Sequence, residues 1–119
     1  MPNQVVFILG GPGSGKSTEC RLLTELNMVH IPAGELLRSR MLVDDDIGHM
    51  IRDIMTRGLL VPSSLSCGLV LERIRSLIPC VNDTTIFLID GFPRNIDNWL
   101  AWQKDSPYSL AAVVSLETD

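Results

Sequence analysis

Aromatic residues are scarce in this chain, 5% against 45% hydrophobic residues overall, so the expected core is mainly aliphatic. Cysteine is scarce as well. Cys20, Cys67 and Cys80 are odd in number and widely spaced, and no two have metal-ligand spacing. That excludes a disulfide framework or a zinc ribbon and leaves reduced thiols, as expected of a cytoplasmic setting, with a nuclear one also open. Long apolar runs are missing: Val5 to Leu9 is far too short to cross a membrane and ends on Gly10-Gly11. No basic region precedes that run, which excludes a signal peptide. A basic excess is missing too. Ten Lys and Arg stand against 14 Asp and Glu, a net charge of −4, which argues against nucleic acid as a partner. No repeat or low-complexity linker divides the 119 residues, which make one domain or part of one.

Against that background one stretch stands out. Gly10-Gly11-Pro12-Gly13-Ser14-Gly15-Lys16-Ser17-Thr18 matches G-x-x-x-x-G-K-[ST], a phosphate-binding loop. Its flanks fit: the apolar run Val5–Leu9 predicts a buried parallel strand, and Glu19 to Leu26 predicts a helix with Leu22, Leu23 and Leu26 on one side. Glycines let successive N–H groups turn inward on a polyphosphate, and the helix points its positive end at the same anion. Gly13 to Thr18 are the candidate nucleotide-phosphate-binding residues. Lys16 supplies a mobile charge for the β- and γ-phosphates, and the Ser17 hydroxyl is placed to meet Mg²⁺.

The rest of the chain alternates strand and helix patterns, which predicts an α/β fold with a parallel sheet flanked by helices. Met28–Ile31 reads as a strand broken at Pro32-Ala33-Gly34, and Glu35–Arg38 opens a short helix. Asp44-Asp45-Asp46 reads as a loop capping the next helix, whose Ile47, Met50, Ile51, Ile54 and Met55 form a core-facing stripe. Gly58 sits where a helix C-cap glycine belongs. Ser63 or Ser64 is expected to cap a helix running through Leu69, Val70, Leu71 and Ile74. After a loop at Pro79–Asp83, Thr85–Asp90 is a second buried strand. Asn95–Gln103 reads as a helix and Ala111–Leu116 as a last strand.

Asp90 ends its strand where phosphate-loop proteins place a Mg²⁺-binding carboxylate. Arg94 follows on the same edge of the expected sheet, where ligands of open sheets bind. Arg38, one helical turn after Gly34, is a candidate to reach the same place, and paired arginines suit bidentate phosphate recognition. The competing reading for Asp90 is a turn-initiating residue before Gly91, and for either arginine a surface salt bridge.

At these residues the chain resembles the nucleoside monophosphate kinases, the adenylate kinase family, and within them the UMP-CMP kinases. The motifs carrying the resemblance are the phosphate loop, Ala33–Arg38, Gly58–Pro62, and Asp90-Gly91-Phe92-Pro93-Arg94-Asn95 followed by Asp97-Asn98. It implies a core of residues 1–32 and 63–119 with an inserted helical lobe, 33–62, that binds the acceptor monophosphate. It implies that the nucleotide held by Gly13 to Thr18 is ATP, with Lys16 and Arg94 as catalytic residues and Arg38 and Arg94 as holders of the acceptor phosphate. Ala33, Leu59, Leu60, Val61, Gly91, Phe92, Pro93 and Asn98 would complete the acceptor site, and Ser17 and Asp90 would serve Mg²⁺. Members with Ala at position 33 and Asn at position 98 use UMP or CMP, whereas adenylate kinases usually carry Thr and Gln there.

The chain departs from the pattern in three places. Ser17 stands where the family usually has Gly, and Pro32 where Ser or Thr is common. Family members also continue beyond the last strand into an arginine-bearing lid. The expectation is the N-terminal portion of such a kinase, a monomer whose unpaired sheet edge offers a place for self-association. Its partners would be ATP and a nucleoside monophosphate. Two alternatives stay open: a kinase acting on AMP, and a nucleotide-binding module without turnover.

Overall fold

A computed structural model describes residues 3–9 and 27–115. The phosphate loop, the helix expected at Glu19–Leu26, Cys20 and Leu116 lie outside the described residues.

Four strands form one sheet: β1 (Gln4–Leu9), β2 (Met28–Pro32), β3 (Ile86–Asp90) and β4 (Ser109–Ser115), in the order β2-β3-β1-β4. Every pairing is parallel. The inner strands β1 and β3 are the two unbroken apolar runs of the sequence, as strands covered on both faces should be. Their side chains alternate between two clusters. Val5, Phe7, Phe87 and Ile89 join the larger core, and Val6, Ile8 and Leu88 form a smaller one on the other face.

Among the described residues four helices connect the strands: α1 (Ala33–Met41), α2 (Asp46–Thr56), α3 (Ser63–Leu77) and α4 (Ile96–Asp105). Cys67, Val70, Leu71 and Ile74 of α3 and Trp102 of α4 fill the larger core. Burial pushes the Cys67 thiol up to about 11, helped by the charge of Asp105, so it is a packing residue that stays protonated. Cys80 is exposed. The few aromatics are concentrated in one place. Phe7 meets Phe92, Trp99 and Trp102 edge-on at centroid distances of 6.2, 6.1 and 5.2 Å. Such pairs add roughly 0.5–1.5 kcal/mol each beyond area burial. They anchor the turn after β3 to the centre of the sheet.

Several expectations shift. β2 runs through Pro32, which pairs with Asp90, and α1 begins at Ala33, so Gly34 is helical rather than a breaker. The end of a strand needs no N–H from proline, and its fixed φ suits the entry to a helix. Asp45 is the N-cap of α2, its carboxylate accepting from the Gly48 N–H at 2.7 Å. The α2 stripe is only partly core: Ile51 is fully buried, whereas Ile47, Met50 and Met55 are exposed. Among the described residues α2 packs chiefly against α1, so much of its apolar face stays uncovered. Gly58 ends α2 at φ +72°, with Gly58 N–H bonded to Met55 O and Leu59 N–H to Ile54 O, a Schellman motif. α3 has no side-chain cap, because Pro62 occupies the N-cap position and Ser63 is already helical. A short 3₁₀ turn, Ile78–Cys80, takes part of the expected loop. α4 is capped by Asn95, whose side chain accepts from Asn98 N–H, and β4 begins at Ser109, two residues before the expected strand.

Candidate acceptor site

The turn after β3 places the site. Gly91 lies at φ +81°, a left-handed conformation that only glycine adopts without strain. It turns the chain so that Arg94 folds back, its Nε–H donating to Gly91 O at 2.9 Å. Gly34, in the first turn of α1, faces this turn. A Cβ built at Gly34 would lie 3.3 Å from Arg94 Nη2 and 3.4 Å from Arg38 Nη1. Both guanidiniums therefore converge over one glycine, Arg38 from α1 and Arg94 from the β3–α4 turn. Among the described residues neither forms an ion pair with a carboxylate. Two guanidiniums brought together in this way have the charge and donor geometry that suit a dianion such as a phosphate monoester.

Beside this point lies a cavity of about 150 Å³. Of the acceptor-site residues named from the sequence, Ala33, Leu59, Leu60, Val61, Gly91, Phe92, Arg94 and Asn98 border it. Phe92 borders it while burying its ring against Phe7 and Trp102. Pro93 is not on the cavity wall. The sequence reading missed Leu37, Met55, Ser66 and Asn95, which also border it. Leu37 stands one helical turn after Ala33, so i, i+4 spacing could have supplied it. Asn95 directly follows Arg94 in the motif that begins at Asp90, whereas Met55 and Ser66 reach the cavity through tertiary packing that leaves no local signal.

Asn98 is 6% exposed, and the protein already engages its carboxamide. Oδ1 accepts from the Arg94 backbone N–H at 2.9 Å, and Nδ2 donates to Ser63 Oγ at 2.8 Å. A carboxamide carries two donors and two acceptor sites, so one of each remains.

Asp90 is buried at the end of β3, with His30 Nε2 3.0 Å from its Oδ2. The pair joins residues 60 apart on neighbouring strands, and nothing local in the sequence announces it. Among the described residues no cluster of three or more His, Cys, Asp or Glu could hold a metal. A single hard carboxylate fits the Mg²⁺ pattern, in which one or two carboxylates act with phosphates and water. Ser17 and Lys16 lie outside the described residues. Among the described residues no helix is long and apolar enough to cross a membrane.

Comparison with known proteins gives the family. The adenylate kinase family model matches residues 8–119. The chain is 38% identical over 107 residues to UMP-CMP kinase of Danio rerio, covering 88% of this chain and 55% of that protein. It is 41% identical over 106 residues to UMP-CMP kinase of Bos taurus, covering 87% and 54%. It is 45% identical over 95 residues to adenylate kinase isoenzyme 5 of Homo sapiens, covering 78% of this chain and 16% of that protein. The chain thus spans about half the length of the UMP-CMP kinases it matches and much less of the longer relative. With the matched region reaching from β1 to residue 119, the chain belongs to the adenylate kinase family.

Proposed function

We propose that this chain carries the phosphate loop and acceptor site of a kinase that moves the γ-phosphoryl group of ATP to UMP or CMP. The observation that carries the reading is the convergence of Arg38 and Arg94 over Gly34, beside a cavity that Asn98 borders. A dianionic phosphate fits the arginines and a base fits the cavity. The shorter carboxamide of Asn98 suits the polar edge of a pyrimidine, to which it can both donate and accept, which favours UMP or CMP over AMP. The family's Ala33 and Asn98 variants point the same way, as do the names of the UMP-CMP kinase relatives.

The chemistry needs alignment more than covalent help. Arg38 and Arg94 hold the acceptor phosphate so that one of its oxygens faces the γ-phosphorus in line. Gly13, Ser14, Gly15, Lys16, Ser17 and Thr18 cradle the donor, with Lys16 and Arg94 offsetting charge that spreads over the transferring group. Ser17 and Asp90 would hold Mg²⁺, which when bound neutralises phosphate charge. Residues 33–62 form the lobe that closes over the acceptor and excludes water.

The test is calorimetric titration of the chain with UMP, CMP, dCMP and AMP, alongside a coupled transfer assay with ATP. Pyrimidine monophosphates should bind more tightly than AMP. Arg94→Ala should weaken them about 10- to 100-fold, the worth of a charge-assisted hydrogen bond, without unfolding the chain. Tighter binding of AMP would replace this reading with an adenylate kinase. Binding without transfer would leave a nucleotide-binding module.

A further inference from the structure

We infer that Ser63 is a positioning residue for base recognition, acting through Asn98. The inference rests on the reading that the cavity receives a nucleobase. Ser63 is the first residue of α3, where the sequence pattern suggests a capping hydroxyl. The hydroxyl does not cap, because Pro62 holds the N-cap position. Its hydrogen bond goes instead to Asn98 Nδ2, across 35 residues of sequence, at 2.8 Å.

This bond is one half of a two-point clamp. The other is the Arg94 backbone N–H on Asn98 Oδ1, at 2.9 Å. A backbone N–H can only donate, so it decides which end of the carboxamide is oxygen. One hydrogen bond leaves a planar group free to pivot about it. The second bond, from Nδ2 to Ser63, stops that pivot. The Asn98 backbone is fixed separately, its N–H donating to Asn95 Oδ1 at 2.8 Å in the α4 cap. With backbone and both ends held, the remaining N–H and the remaining lone pair keep fixed directions. Asn98 borders the cavity, and these two groups are the donor–acceptor edge we assign to a base there.

Such an edge suits the polar side of a pyrimidine, which offers one donor and one acceptor side by side. Hydrogen bonds weaken steeply once the donor angle falls below ~120°, so a pivoting carboxamide pairs poorly. Ser63 therefore acts on the base and not on the phosphate. The phosphate is held by Arg38 and Arg94, whose guanidiniums Ser63 does not touch.

The test uses the 119-residue chain with Ser63→Ala and Ser63→Thr. Affinities for UMP, CMP and ribose 5-phosphate are measured by calorimetry. Ser63→Ala should weaken UMP and CMP about three- to tenfold, the worth of one net hydrogen bond, and leave ribose 5-phosphate unchanged. Ser63→Thr, which keeps the hydroxyl, should restore the wild-type values. Equal weakening of all three ligands would mean a merely structural tie and would overturn the inference, as would no change in any. A wild-type chain that binds ribose 5-phosphate but gains nothing from the base would overturn the reading of the cavity itself. A ligand-free measurement stands beside these: the Asn98 side-chain NH₂ pair in an ¹⁵N spectrum. One of its protons should be protected from solvent exchange in the wild type and lose that protection in Ser63→Ala. Two freely exchanging protons in the wild type would remove the clamp.

Discussion

Gly34 shows how much of this site depends on a missing side chain. The position is helical, so alanine should suit the backbone and add up to about 1 kcal/mol of helix stability. The atoms a Cβ would meet are the Nη2 of Arg94 at 3.3 Å and the Nη1 of Arg38 at 3.4 Å, ends of flexible side chains. They can move, and in moving they leave the point at which both aim. Gly34→Ala should therefore hold or raise Tm while weakening inorganic phosphate binding about tenfold, the low end of a lost charge-assisted bond. Thermal unfolding and phosphate titration on the same variant check both signs, and unchanged phosphate affinity would mean that the two arginines do not share a ligand at Gly34. The sequence made Arg38 and Arg94 visible as a pair, because motif and spacing placed each of them. It did not reveal that a glycine is what lets them meet.

At the scale of elements, the turn between α1 and α2 is fastened by one carboxylate. Asp45 caps α2 through Gly48 N–H and also receives both Arg40 nitrogens, at 3.0 and 2.9 Å. The Arg40 hydrogen bonds, then the Gly48 N–H, hold the Asp45 carboxyl below its ordinary value. A depressed folded value means that the unfolded chain takes up the proton first. The contribution is fully present above the ordinary carboxylate value of about 4 and is lost as pH falls through the folded value. Asp45→Asn should lower Tm at neutral pH, and the gap between variant and wild type should narrow only below about pH 4. Tm measured from pH 7 to pH 3 follows this, and a gap constant across that range would show that the charge plays no part.

Legibility at this scale followed burial. β1 and β3 were readable because strands covered on both faces carry unbroken apolar runs. The Asp45 cap and the Gly58 stop were readable because capping chemistry is local. The α2 stripe misled, since an amphipathic pattern reports an apolar face and not whether anything covers it. Ser63 misled for a related reason. A serine at a helix start implies a cap, but its partner is Asn98, and no local rule reaches that far.

At the scale of the molecule, the strand order β2-β3-β1-β4 puts β4 on an edge of the sheet. Among the described residues β4 pairs only with β1, through Gln4↔Ser109 to Leu9↔Ser115. Among the described residues no strand pairs with its outer row of N–H and C=O groups, and such a row is a template for another strand. The side chains do little to discourage this: Ser109–Ser115 holds no charged residue, and Val113 is 53% exposed. A charge on an exposed edge is a common defence against such pairing, because a second strand would have to desolvate it. The chain should therefore associate as its concentration rises, and Val113→Lys should shift that association to higher concentration. The lysine should leave the acceptor site alone, since Val113 does not border the cavity. Sedimentation velocity over a concentration series, with UMP affinity measured in parallel, separates the two effects. A wild-type chain that sediments as a monomer throughout would show the edge to be inert. A lysine variant that associates as strongly as wild type would place the contact on another surface.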